Sequence, residues 1–308
     1  MTTPSSDSAD ASVKVILFAL FANFGIAISK FGGWILTGSA SLLAEGIHSV
    51  ADCTNQVLLL VGNKAARKPP TPTHPFGYGK ESFFWSFVVA LVLFSMGGLF
   101  SIYEGVHKLQ STDPIDHPWV GLTILALSIA LETGSFWACY KEVKKQNPYP
   151  SLTQWVRKTT AAELLVIFIE DLAALLGLVF AFICLLLAYL SGNPVWDAIG
   201  SLAIGVLLVA VAFVLARETK SLLIGEAPSQ DYEPVIRKII DETAPGVQMI
   251  RFVSQQVGAS QVLISMKVHP GPITDVSTLV DKINEIERRI KSRFPDIQWQ
   301  FIEPDTQS

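Results

Sequence analysis

The chain has 308 residues, of which 50% are hydrophobic and only 16% are charged, and its formal net charge is −4 at pH 7. Soluble domains are about 25% charged, so this composition indicates a membrane protein. The chain has no long basic block, which argues against a nucleic-acid partner.

Six apolar segments, each close to or above the length of roughly 18 residues that can cross a bilayer as a helix, predict a polytopic α-helical membrane protein. They cover residues 13–36, 40–62, 82–102, 120–140, 164–190 and 197–215. The polar segment 1–12 lacks the basic region of a signal peptide, so we expect the first span to be retained. Lys30, in that span, has two open interpretations: it pairs with a carboxylate inside the bundle, or it reaches an interface.

Positive residues predict the orientation of the spans. They concentrate in the loops after the second and fourth spans: Lys64, Arg67, Lys68, Lys80, Lys141, Lys144, Lys145, Arg157 and Lys158. Cationic loops stay in the cytoplasm. Both termini and everything after Arg217 are therefore predicted to be cytoplasmic, and we expect the protein in a bacterial inner membrane.

The second span carries Glu45, His48, Asp52 and Asn55, spaced three or four residues apart. On a helix these side chains lie on one face. Each ionisable group in a membrane core costs roughly 2.5–3.5 kcal/mol, so such a stripe must face a partner, a cavity or an ion. Imidazole and carboxylate one turn apart form half of a site for a divalent transition metal. A buried polar cluster that only ties helices together is the alternative.

The fifth span supplies further acidic residues, Glu170 and Asp171. Adjacent residues on a helix point about 100° apart, so we expect only one of them to face a metal directly. Glu163 lies two turns earlier. The sequence is compatible with two roles for it, a ligand where the metal enters and an ordinary acid at the membrane interface.

After a linker at residues 226–228 the pattern becomes that of a soluble α+β domain. Helices are predicted at 231–243 and 275–293, and strands at 249–257, 262–268 and 297–302. In the second strand Val262, Ile264, Met266 and Val268 alternate with other residues, as in a half-buried strand. The sequence thus predicts a transport domain at 1–225 and a domain at 226–308 that is small enough to favour pairing with a second copy.

Five short motifs, built largely from small, polar and acidic residues, follow one another along the chain. They are residues 38–39 with 44–52, residues 74–81, residues 103–105, Asp171 with Gly177, and residues 197–205. In this combination the chain resembles the cation diffusion facilitator family of metal transporters. The resemblance covers nearly the whole chain. It implies proton-coupled export of a divalent metal, usually zinc, by a homodimer with ferredoxin-like cytoplasmic domains and no cofactor beyond the transported ion.

The resemblance also implies a metal site of His48, Asp52 and Asp171, with one departure. The family's fifth span has a histidine where this chain has Ile167. Glu170 lies on nearly the same face of the helix and is expected to compensate, as in the subgroup that includes mitochondrial zinc transporters. Fewer nitrogen ligands and more oxygen ligands weaken the preference for zinc and admit Fe²⁺, Mn²⁺ or Co²⁺.

The cytoplasmic domain departs from the family as well. It has a single histidine, His269, and Phe301 stands where relatives often carry a ligand histidine. We therefore expect this domain to act in dimerisation without a regulatory metal cluster. His74, in the loop after the second span, matches a metal-binding histidine of some relatives, and structuring a Pro/Gly turn is its alternative role.

The leading functional prediction is a metal/proton antiporter. A metal-responsive scaffold that does not transport is the alternative, and the scarcity of histidine in the cytoplasmic domain argues against it. An intramembrane metalloenzyme is a weaker third interpretation, because the chain has no HExxH motif or evident nucleophile–base pair. The chain is therefore predicted not to be an enzyme.

Overall fold

The computed structural model describes residues 23–110, 114–146, 150–259 and 261–306. The polar segment 1–12 and the predicted start of the first span, 13–22, lie outside these residues. The chain divides into two compact units. The first comprises Met1–Val61, Trp85–Pro148 and Glu163–Arg217, and the second comprises Gly62–Phe84, Tyr149–Ala162 and Glu218–Ser308. The second unit thus contains, besides the predicted cytoplasmic domain, the cationic loop after the second span, the part of the next cationic loop that carries Arg157 and Lys158, and the end of the last long helix.

Long helices account for most of residues 23–224. They are α1 (23–37), α2 (Ala40–Ala66), α3 (Glu81–Val92), a π-helix (Leu93–Leu99), α4 (Phe100–Gln110), α5 (Pro118–Gln146), α6 (Leu152–Lys158), α7 (Ala162–Ser191) and α8 (Val195–Ile224). In the described part of the chain, four helical segments are long and apolar enough to cross a membrane: Glu81–Gln110, Pro118–Lys145, Ala162–Ser191 and Val195–Ile224. They coincide with the predicted third to sixth spans.

The turn between α1 and α2 is built from small and hydroxyl residues. Gly38 has a φ of +64°, a backbone conformation that glycine adopts without strain. The buried carboxylate of Asp197 in α8 then accepts hydrogen bonds from Ser39 Oγ at 2.7 Å and from Ala40 N at 2.6 Å. Asp197 therefore satisfies N–H groups at the start of α2 that have no partner within the helix.

Glycines bring α8 close to the π-helix and α4. A Cβ atom added at Gly205 in α8 would lie 2.8 Å from Ile102 N and 2.9 Å from Gly98 O. The backbones of the two helices therefore approach more closely than any side chain would allow. Small residues at such contacts are typical of helix packing in membranes.

In the second unit, α9 (Glu233–Thr243), β1 (Gln248–Gly258), β2 (Gln261–His269), α10 (Val276–Arg293) and β3 (Ile297–Pro304) follow the predicted order. The sheet order is β1-β2-β3, with β1 antiparallel and β3 parallel to β2. Residues from both helices and all three strands form one hydrophobic core, which includes Ile236, Ile240, Ile264, Met266, Ile286 and Ile290. This core identifies a self-contained α+β fold.

Two polar contacts define the ends of elements in this fold. Tyr232, just before α9, donates a hydrogen bond to the carboxylate of Asp296 before β3, and burial together with Asp296 raises the pKa of Tyr232. Asp275 caps α10 by accepting a hydrogen bond from Thr278 N at 2.8 Å, and this bond lowers the pKa of Asp275.

Candidate metal centre

Helix α2 places His48 and Asp52 one turn apart on one face. His48 Nδ1 lies 3.5 Å from Asp52 Oδ1, and the His48 side chain is 1% exposed. Three buried atoms lack a hydrogen-bond partner in the described part of the chain: the two ring nitrogens of His48 and Oδ1 of Asp52. Buried polar atoms are almost always hydrogen-bonded, because an unpaired one costs free energy. These three atoms are therefore available to a ligand.

Helix α7 brings Glu170 to the same place. Asn55 Nδ2, one turn after Asp52, donates a hydrogen bond of 2.6 Å to Glu170 Oε1. The carboxyl groups of Asp52 and Glu170 lie within side-chain hydrogen-bonding range of each other. At the contact between α2 and α7, Asp52 thus lies beside two other predicted ligands, His48 on its own helix and Glu170 on α7. We call these residues the α2/α7 cluster.

Asp171, the fourth predicted ligand, makes a different contact. Its Oδ2 accepts a hydrogen bond of 3.4 Å from Ser135 Oγ of α5. The two adjacent acids therefore point to different neighbours, as their separation around the helix requires, and Glu170 is the one beside Asp52. Within the described ranges, no three His, Cys, Asp or Glu side chains are grouped closely enough to hold a metal ion.

Position 167 is unlike a ligand position. Ile167 is 38% exposed, whereas Glu170, one turn later, is 7% exposed. The structure gives Glu170 the buried environment of a ligand and leaves position 167 at the surface of α7. Glu163 lies in the first turn of α7, roughly 10 Å along the helix axis from Glu170, and its role as an entry ligand stays a prediction.

The structure resolves the two interpretations of Lys30. The Lys30 side chain is 1% exposed, and its Nζ lies 3.0 Å from Glu45 Oε2 and 2.7 Å from Ser49 Oγ. Lys30 therefore pairs with a carboxylate inside the bundle. Both partners lie on α2 within one turn of His48, so a positive charge lies close to the α2/α7 cluster.

Sequence reasoning missed the π-helix that faces His48. A Cβ atom added at Gly97 would lie 3.8 Å from His48 Nδ1, so Gly97 of this wide turn lies beside the side chain of His48. Single π-helical turns within α-helices are frequent at functional sites. The signal in the sequence is the Gly97-Gly98 pair inside an apolar span, where glycine weakens a regular helix.

His74 lies in the second unit, in a turn between α2 and α3. Its Nδ1 is 3.1 Å from Thr73 Oγ1, and its ring centroid is 4.4 Å from that of Tyr78. His74 and Tyr78 both line a cavity of about 640 Å³. These contacts are those of a structured Pro/Gly turn, and metal binding by His74 stays a prediction.

Phe76, two residues after His74, connects this turn to the sheet. Its ring packs on Trp299 at a centroid distance of 5.9 Å and on Phe301 at 6.4 Å. Phe301 is the residue that replaces a ligand histidine of relatives, and here it takes part in an aromatic contact. His269 Nδ1 accepts a hydrogen bond of 3.1 Å from Gly271 N.

Comparison with known proteins gives one family. A family model described as the cation efflux transmembrane domain matches residues 16–224. The mitochondrial proton-coupled zinc antiporter of Xenopus laevis is 33% identical over 330 residues, which cover 94% of this chain and 59% of that protein. Metal tolerance protein C4 of Arabidopsis thaliana is 33% identical over 229 residues, or 73% of this chain and 50% of that protein.

A bacterial relative matches end to end. The manganese efflux system protein of Bacillus subtilis is 22% identical over 304 residues, which cover 97% of each chain. The chain spans between half and three fifths of the length of the two relatives described first.

Proposed function

Since this chain belongs to the cation efflux family, the cation diffusion facilitators that its motifs resemble, we propose that it exports a divalent metal ion from the cytoplasm in exchange for protons. It is an integral membrane protein with several spans. Zinc is the proposed cargo, with Fe²⁺, Mn²⁺ or Co²⁺ as further substrates, and the proposed activity is transport and not catalysis. Relatives named as zinc and manganese transporters support this choice of cargo.

The α2/α7 cluster is the observation that carries the proposal. It combines two carboxylates with an imidazole whose nitrogens have no hydrogen-bond partner among the described residues, all inside apolar helices, where such groups are costly unless they are used. We assign His48, Asp52 and Glu170 as ligands of the transported ion. Asp171 completes the proposed set and would exchange its hydrogen bond to Ser135 for the ion. Nitrogen and oxygen ligands of this kind suit Zn²⁺.

Proton coupling follows from the chemistry of these ligands. A metal ion binds neutral imidazole and ionised carboxylates, so loading the site displaces protons and protonation favours release. Movement of the helices around a site at the middle of the bilayer would expose it to one side at a time.

Orientation and assembly belong to the same proposal. The cationic loops suggest six spans with the second unit's residues 226–308 in the cytoplasm. We propose a homodimer in a bacterial inner membrane, in which this ferredoxin-like domain pairs with its copy.

Flux into proteoliposomes tests the function. Zinc uptake should accelerate when the vesicle interior is acidic, because protons leave as zinc enters, and a protonophore should remove the acceleration. Asp52→Ala and Asp171→Ala should each abolish this flux in a protein that still folds. A wild-type protein that moves no metal under any gradient would favour the scaffold interpretation.

A further inference from the structure

A buried ion pair lies beside the proposed transport site, and neither of its residues belongs to the proposed set of metal ligands. Lys30 of α1 is 1% exposed, Glu45 of α2 is 0% exposed, and Lys30 Nζ lies 3.0 Å from Glu45 Oε2. Ser49 Oγ accepts a second hydrogen bond from the same ammonium group at 2.7 Å. Charged hydrogen bonds of this kind are the stronger ones in proteins. They hold the Glu45 carboxylate on the side that faces α1.

Glu45 has the position of a metal ligand. It precedes His48 by three residues on α2, and residues at this spacing have Cβ atoms about 5–6 Å apart on one face of a helix. Its second oxygen, Oε1, has no hydrogen-bond partner in the described ranges. Oε1 abuts α7, since a Cβ atom added at Gly177 would lie 2.8 Å from it. Glu45 is thus a carboxylate one turn from His48 on the same face of α2, and Lys30 holds one of its two oxygens.

Charge balance explains why this carboxylate is held back. The three carboxylates of the proposed ligand set, Asp52, Glu170 and Asp171, more than balance one divalent cation when they are ionised, and Lys30 balances Glu45. An ionised Glu45 without Lys30 would add an uncompensated negative charge and another oxygen ligand to the site. Oxygen-rich sites favour Mn²⁺ over Zn²⁺, relative to sites that keep nitrogen among few ligands.

We propose that Lys30 is a positioning residue that withholds Glu45 from the transport site and thereby sets the metal preference in favour of zinc. The inference rests on the proposed function. It differs from a purely structural role, in which the Lys30–Glu45 pair ties α1 to α2 and affects every metal alike.

The test compares zinc with manganese in four variants of the full chain. Lys30→Met removes the ammonium and frees Glu45. Glu45→Gln removes the charge of the carboxylate, Lys30→Met/Glu45→Gln removes both charges, and Lys144→Met is the matched control, because Lys144 is exposed near the end of α5. Equilibrium binding of Zn²⁺ and Mn²⁺ to purified protein gives the ratio of affinities, and competition flux in proteoliposomes gives the ratio of rates.

Lys30→Met should lower the zinc-to-manganese affinity ratio roughly tenfold, at the lower end of the effect of changing groups around metal ligands. Lys30→Met/Glu45→Gln should return the ratio to the wild-type value, and Glu45→Gln and Lys144→Met should keep it. Where Lys30→Met fails to fold, Lys30→Gln removes the charge but keeps a weaker, neutral donor for Glu45, so the ratio should fall in the same direction by a smaller factor.

An unchanged ratio in the Lys30 variant, with affinity for both metals reduced by the same factor, would overturn the proposal and leave a structural tie. A ratio that stays low in Lys30→Met/Glu45→Gln would overturn it too, because Glu45 would then not be the cause. Wild-type flux decides the proposed function separately, since the affinity ratio is measured without transport.

Discussion

At the residue scale, two neighbours in the sequence have separate surroundings. Glu170 accepts a hydrogen bond from Asn55 and lies beside Asp52, whereas Asp171 accepts one from Ser135. Asn55 is the clearest outer partner of the α2/α7 cluster, because its amide group donates a hydrogen bond to one oxygen of Glu170. Groups that orient metal ligands in this way affect affinity without touching the ion.

Asn55→Ala should therefore weaken zinc binding by roughly 10–100-fold, the usual effect of losing a partner of a metal ligand. The measurement is a zinc titration of the purified protein. Asn284→Ala in α10 is the matched control, since Asn284 is exposed and lies in the other unit. Wild-type zinc affinity in Asn55→Ala would mean that Glu170 needs no orientation or is not a ligand.

At the element scale, a helix that contains a π-helical turn packs against α8 through glycines. The turn runs from Leu93 to Leu99, and its Gly97 faces His48 while its Gly98 approaches α8. The wide turn and the close contact occur in the same stretch. This arrangement links the packing of α8 to the surroundings of His48.

Gly205→Ala should destabilise this contact by about 1–3 kcal/mol, because the added methyl group overlaps the backbone of Ile102 and Gly98. Thermal unfolding in detergent measures the loss. Gly134→Ala in α5 is the control, since a Cβ atom there meets nothing within 4 Å; its stability should be unchanged or slightly higher, because alanine favours a helix. Equal melting temperatures for Gly205→Ala and wild type would contradict this prediction, because α8 could then move away from Ile102 and Gly98 at little cost in free energy.

At the scale of the whole molecule, the chemistry is divided between the two units. The α2/α7 cluster and the Lys30–Glu45 pair belong to the first unit. In residues 226–308 the one histidine, His269, already accepts a hydrogen bond from Gly271, and Phe301 takes part in an aromatic contact. These features favour packing over metal binding in residues 226–308.

A fragment of residues 226–308 should accordingly dimerise without metal, and zinc should leave its melting temperature unchanged. The fragment contains the complete hydrophobic core of the sheet and both helices. A real zinc site would stabilise the fold by about 2.7 kcal/mol at a hundredfold excess of zinc over its dissociation constant. Sedimentation and thermal melts at micromolar zinc are the measurements, and a large upward shift in melting temperature would reveal a metal site in this domain.

Much of the architecture follows from the sequence alone. Apolar length predicts the long helices, because the bilayer accepts only such segments, and period-two alternation predicts β2, because one face of a strand is buried. Helical spacing also places His48 and Asp52 on one face. These are local properties, since the period of the helix or strand determines them before any contact between elements forms.

Tertiary structure alone decided which residues from different helices meet. The sequence by itself left Lys30 between a buried partner and an interface, and its helical spacing left open which of Glu170 and Asp171 faces the metal directly, because a helical period does not determine how one helix is rotated against its neighbours. Packing of α1, α2, α5 and α7 resolved both: Lys30 pairs with Glu45, Glu170 lies beside Asp52, and Asp171 contacts Ser135. The π-helix at Gly97 likewise required the structure, since the Gly97-Gly98 pair in the sequence indicates only a weakened helix.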